Sequence, residues 1–173
     1  PGAYAPAYLR PQMANGAPLP PNLHWGLVLL LTLVSCGFFG AIWMLMQGWW
    51  LKQLRPGNRS IWLLSASFGV GYAGTLLISV VSPFLDPAFQ KSELSAIPAL
   101  ILGGILLLVA IAALALYFIA ELAMRREMLD YFNTVENIGL RLNPVLTLLV
   151  GMYYLQYHMS RIAEWKKTGA LAP

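Results

Sequence analysis

Residues 97–120 read IPALILGGILLLVAIAALALYFIA, and this stretch decides the fold class. It carries thirteen Leu, Ile, Val and Phe residues between Ala99 and Ala120, and no charge. At about 0.3–0.6 kcal/mol each, these residues favour insertion into a bilayer by on the order of 6 kcal/mol. Roughly 20 residues of helix cross the ~30 Å of hydrocarbon, so the stretch is long enough to span. Beyond it, residues 121–133 continue as a helix into water, with Glu121 and Arg125 at the i,i+4 spacing of an ion pair.

The same logic extends in both directions. Residues 11–51, 60–85 and 142–160 are also free of Asp, Glu, Lys and Arg. The chain of 173 residues is 58% hydrophobic and 10% charged, against about 25% charged in a soluble domain. The expected architecture is an all-α integral membrane protein with three to four hydrophobic helices. Residues 1–22 form a Pro/Ala-rich extended tail, 23–167 the helical membrane domain, and 168–173 a short C-terminal tail. The helical segments fall at 23–51, 61–81, 97–120 and 144–167.

In the first segment, Trp25 and Trp49 are 24 residues apart, about 36 Å of helix. That matches the separation of two interfacial aromatic belts. Trp25, Trp49, Trp50, Trp62, Trp165, Lys166 and Lys167 therefore read as membrane-interface anchors. Within this segment Cys36-Gly37-Phe38-Phe39-Gly40-Ala41 is a weak point, where glycines allow a kink or a close helix approach at Gly37 and Ala41. The second segment is rich in small residues. Ser65, Gly69 and Ala73 share one face, with Gly74 beside it, and lipid-embedded helices associate through such faces. This reads as the most buried helix of the bundle. Leu108 stands for the lipid-facing third segment.

The fourth segment is short. Asn143-Pro144 is an N-cap followed by a first-turn proline. Val145, Leu148, Met152, Leu155, Met159 and Ile162 then make an apolar stripe, as in an amphipathic helix lying in the interface. Charge supports that choice. If the last segment does not cross, nine Lys/Arg lie on one side and two on the other. The positive-inside rule then places loops 52–60 and 121–143 in the cytoplasm and the N-terminus outside. The alternative is a four-span bundle.

Little chemistry is visible. The single cysteine, Cys36, has no intrachain partner. No His/Cys/Asp/Glu cluster has the spacing of a metal site, and no nucleophile elbow, Walker loop or strand-linked glycine fingerprint appears. His24 and His158 are the candidate ligands for a pigment or haem; each lies at a segment end, where an interfacial polar role is commoner. The net charge of +4 comes without a basic stripe interleaved with aromatics, which speaks against nucleic acid. Tyr153-Tyr154-Leu155-Gln156-Tyr157-His158 suits an aromatic belt, or contact with a headgroup or partner helix.

Two stretches carry a family resemblance. The run from Leu31 to Trp43, with Cys36-Gly37-Phe38-Phe39-Gly40 leading into Ile42-Trp43, resembles a bacterial family of small multi-helix membrane proteins known only as a domain of unknown function. The stretch Tyr153–Ile162, followed by Trp165-Lys166-Lys167-Thr168-Gly169, is similar to segments of the same family. The resemblance implies residence in the bacterial inner membrane and brings no catalytic residues. The expected function is a non-enzymatic structural or accessory subunit, without cofactor, whose partners are the lipid bilayer and other membrane-protein subunits. The alternatives are a transporter or channel-like component, or a pigment- or haem-carrying subunit.

Overall fold

The computed structural model describes residues 17–82 and 96–168. The described residues contain six helices and no strand: α1 Trp25–Val34, α2 Phe38–Leu54, α3 Ser60–Val81, α4 Ala96–Thr134, α5 Pro144–Val150 and α6 Met152–Thr168. The chain divides into two compact units. One contains the described residues up to Ile61 and from Ala120 onward; the other is Trp62–Ile119.

The second unit consists of the apolar parts of α3 and α4. Both helices are long and apolar enough to cross a membrane. Their contact runs through Ser67, whose hydroxyl donates to the Ala113 carbonyl at 2.9 Å, and through Gly74, where an added Cβ would lie 3.1 Å from Val109 Cγ1. Ser67 and Gly74 are seven residues apart and share a face. The face expected to pack is a different one. Ser65, Gly69 and Ala73 are exposed, and a Cβ on Gly69 meets nothing within 4 Å. The expectation that this segment is the most buried helix is therefore corrected. Small residues on a helix name the faces that can pack, not the one used within the chain.

The first unit departs further from expectation. The segment 23–51 is not one helix. α1 ends in a Schellman turn, in which Gly37 N–H donates to Thr32 O at 2.7 Å and Cys36 N–H to Leu33 O at 3.2 Å. Cys36 takes the left-handed position at φ 51°, and Gly37 follows at φ 92°. Ser35 closes the turn by accepting from Phe39 N–H at 2.8 Å. The chain then folds back, so that α1 packs on α2. Gly40 is where they meet: an added Cβ would sit 2.8 Å from both Thr32 Cγ2 and Met152 Cε. Gly37, expected at a helix contact, has open space around it and serves backbone conformation instead. Ala41 is half-buried beside Gly40.

This geometry makes a prediction. Gly40→Ala is expected to destabilise the protein by about 1–3 kcal/mol, because the methionine tip yields but the β-branched threonine does not. Gly69→Ala, in open space, should leave stability unchanged or raise it slightly. Thermal unfolding of the two variants checks this; equal midpoints would remove Gly40 from the packing centre.

After α4, Asn137 at φ 49° and Gly139 at φ 69° turn the chain. The loop is strapped back to the helix. Asn133 Nδ2 donates to Leu140 O at 3.0 Å, and Arg125 donates through Nε and Nη2 to Leu142 O at 2.9 and 2.6 Å. Arg125 thus serves the loop, and Glu121 is fully buried. As read from sequence, Asn143 caps α5, accepting from Val145 N–H at 2.8 Å. Gly151, at φ 60°, then separates α5 from α6. The expected stripe divides there. Met152, Leu155, Met159 and Ile162 are buried, whereas Val145 and Leu148 are exposed.

The apolar face of α6 is therefore covered by protein and does not lie against an interface. It joins Met44, Leu51, Met124, Met128 and Phe132 in the core. Two expected anchors belong to this core as well. Trp165 is 1% exposed. Trp50 is 4% exposed, stacks on Phe132 at 6.1 Å and donates its indole N–H to Pro18 O at 3.0 Å. Trp25, Trp49 and Trp62 are exposed.

Candidate functional site

The site is organised by one buried amide. Gln156 Oε1 accepts from Trp43 Nε1 and from Gln47 Nε2, both at 2.9 Å. Its Nε2 donates to Pro21 O at 3.0 Å and Leu23 O at 2.8 Å, with Ser160 Oγ at 3.3 Å. Gln47 and Gln156 are both fully buried. A buried amide needs such partners, since an unsatisfied polar group costs about 1–3 kcal/mol. The network gathers the segment just before α1, the central part of α2 and the first half of α6. The chain segment before α1, expected as an extended tail, is docked where it is described. Residues 1–16 and 169–173, the two tails' outer parts, lie outside the described residues, as does the loop 83–95.

Two adjoining hollows open beside this network. One, of about 360 Å³, is lined by Asn22, His24, Trp25, Tyr157, Ser160, Arg161, Glu164 and Lys167. The other, of about 420 Å³, is lined by Trp25, Leu29, Val150, Tyr153, Tyr154 and Tyr157. Trp25 and Tyr157 belong to both walls and stand between the two chambers of the cleft, one carrying charged side chains in its wall and the other apolar. Arg161 lies 5.8 Å over the Tyr157 ring, within cation–π range. Tyr154 is fixed from behind, its hydroxyl accepting from Asn143 N–H at 3.0 Å.

The two histidines take local roles. His24 caps α1, its Nδ1 accepting from Gly26 N–H at 3.2 Å, and it stacks on Trp25 at 5.7 Å. His158 meets Tyr154 and Tyr157 edge-on at 4.7 and 5.3 Å. Burial, helped by the Arg161 charge, lowers its pKa from 6.5 to about 4. The unfolded chain therefore takes up this proton first. The contribution is complete above pH 6.5 and is lost as pH falls from there towards 4. Unfolding midpoints at pH 7.5 and 4.5 should differ less in His158→Gln than in the native protein. An identical pH response would show that His158 is not held neutral.

On the opposite side of α6, Lys166 is not an interface anchor. Its Nζ lies 2.7 Å from Glu136 Oε1, with side chains only 6% and 0% exposed. Tyr131 donates to the same carboxylate oxygen at 3.4 Å, and its pKa is raised by burial and by the Glu136 charge. Lys167, the neighbouring anchor, is exposed and lines the cleft. At the other end, Arg55 pairs with Glu127 at 3.7 Å and Asp130 at 3.4 Å, holding the turn after α2 to α4.

The hub Gln156 escaped the sequence reading although it lies within the quoted aromatic stretch. A signal existed: Gln47 and Gln156 are amides set inside charge-free apolar runs, and burial there demands a polar partner. Among the described residues, no group of three or more His, Cys, Asp and Glu side chains is placed to hold a metal ion. Comparison with known proteins adds no relative: the chain matches no protein-family model, no curated protein and no solved structure.

Proposed function

We propose that the chain is a non-enzymatic accessory subunit of a bacterial inner membrane, with α3 and α4 crossing the bilayer and the α1–α2 hairpin entering one leaflet. The observation that carries the membrane reading is exposure. Only 17% of the apolar window of α3, and none of that of α4, is buried in protein. Leu76, Val80, Leu100, Leu107 and Leu108 are all more than 60% exposed. The core helix of a soluble protein would be covered; a helix facing lipid is not.

The hairpin replaces the expected first span. Trp25 lies eleven residues before Cys36, and Trp49 thirteen after it. As helix these distances are about 16 and 20 Å, half a bilayer rather than a whole one. Gln156 binds both arms near their bases, through Leu23 and Gln47. The two tryptophans then mark one aromatic belt. Leu33, Val34 and Phe38, around the turn, are exposed and apolar.

The hairpin also bears on the side from which the chain enters α1. The segment before α1 ends on the same side as loop 52–60, since Pro18 O accepts from Trp50. Ten of the eleven Lys and Arg residues precede Ser60 or follow Ala120, with Lys91 alone between them. With the positive-inside rule this supports a cytoplasmic position for the described segment before α1 and for loops 52–60 and 121–143.

The accessory role is supported by the outward Ser65, Gly69 and Ala73 face of α3, which suits close approach of another subunit's helix. In a Cys36→Ser background, cysteines at Trp25 and Asn58 are expected to label from the same membrane face, and one at Ser92 from the other. Labelling of Trp25→Cys and Asn58→Cys from opposite faces would restore a full first span. Gly69→Leu should reduce recovery of co-purifying membrane proteins while leaving the thermal midpoint unchanged. Unchanged recovery would remove the accessory role.

A further inference from the structure

We propose that the cleft between α1 and α6 holds one anionic glycerophospholipid, with its phosphate at Arg161 and Lys167 and an acyl chain along Leu29, Val150 and Tyr153. The choice of ligand rests on the membrane reading above.

Two separate elements give the cleft the same polarity gradient. From the last residue of α5 and along α6 the lining runs from Val150 and Tyr153 through Tyr157 to Arg161 and Lys167. Along the start of α1 it runs the opposite way in sequence, from Asn22 and His24 through Trp25 to Leu29. The polar ends coincide and so do the apolar ends. From Tyr153 to Lys167 is fourteen residues, about 21 Å of helix. That length carries a ligand from the acyl region past the headgroup level.

Charge fits the same occupant. Arg161 and Lys167 against Glu164 leave one net positive charge in the polar wall, complementary to the single negative charge of phosphatidylglycerol. Trp25 and Tyr157, 46% and 43% exposed, stand where the two halves join. Amphipathic rings prefer that level of a bilayer.

The full chain, purified in lipid-free detergent, would be titrated with phosphatidylglycerol and phosphatidylcholine and the bound lipid read by native mass spectrometry. One phosphatidylglycerol per chain should be retained in preference to phosphatidylcholine. Lys167→Gln should cut that preference about fivefold, and the double change with Arg161→Gln roughly thirtyfold. Leu29→Asn should weaken both lipids and keep the preference. Lys167 is exposed, so its variant tests the site even if the double variant unfolds. Equal retention of the two lipids, or a preference untouched by Lys167→Gln, would overturn the proposal. Competition by sn-glycerol 3-phosphate at the same concentration as the lipid would overturn its acyl half.

The membrane reading is tested separately. A fluorophore on Leu108→Cys in the Cys36→Ser background should be quenched by lipids brominated deep in their chains. Quenching without lipid preference would sink the cleft alone. Absence of quenching would sink the membrane reading and the choice of ligand with it.

Discussion

Replacing Gln156 by leucine is expected to destabilise the first unit by about 3–5 kcal/mol, the sum of several buried polar groups left without partners. The volume change is small, so the loss isolates the hydrogen bonds. Trp43 Nε1 would lose its acceptor and the Pro21 carbonyl its donor, while Gln47 Nε2 and the Leu23 carbonyl would each keep one long bond, to Met152 O and from the Ser160 hydroxyl, both at 3.4 Å. The consequence is local as well as global. The segment before α1 should loosen from α6 and become more open to proteolysis near Leu23, while the Trp50 bond to Pro18 still holds its outer part. Gln156→Glu separates the two halves of the network, since a carboxylate still accepts from Trp43 and Gln47 but cannot donate. Limited proteolysis and unfolding midpoints read both effects. A stable, protease-resistant Gln156→Leu protein would show that apolar packing alone closes the hairpin base.

The long helices α3 and α4 were legible because a charge-free run of sufficient length has few physical solutions. The cap at Asn143-Pro144 was legible because those residue types satisfy a helix start in one particular way. The hairpin was half legible. The weak point at Cys36–Ala41 stood out, but cysteine is not a residue that announces a left-handed turn, and the 24-residue Trp25–Trp49 spacing fitted a full span equally well. Folding at Cys36 converts that spacing into two arms packed on each other.

Other misreadings share a single cause. An apolar stripe, a tryptophan or a small residue reports that a surface seeks an apolar or close partner, and it does not report which partner. The part of the stripe on α6 is buried within the protein core, whereas Val145 and Leu148 before it are exposed. Gly69 and Gly40 are indistinguishable by type, yet one faces open space and the other abuts Thr32. The candidate cleft needed the fold, because its walls join residues 22–29 to residues 150–167 and only the return of the chain at Cys36 sets them together.

Lys166 offers the other large effect. Lys166→Met is expected to cost about 3–5 kcal/mol, because it strands the Glu136 carboxylate where water does not reach. Glu136 is fully buried, and its Oε1 receives both Lys166 at 2.7 Å and the Tyr131 hydroxyl at 3.4 Å. The ammonium also lies 5.7 Å from the Phe132 ring, so its stem and its charge are both engaged. Pairing two charges away from water gains little over an apolar pair of similar size, although breaking the pair is expensive. Lys166→Met combined with Glu136→Leu should therefore recover most of the lost stability, and the double-mutant cycle should return a coupling of a few kcal/mol. Lys167→Met supplies the contrast, since Lys167 is exposed and should leave the midpoint unchanged. An interface anchor would behave the other way, with Lys166→Met and Lys167→Met alike weakening membrane association and neither shifting the unfolding midpoint.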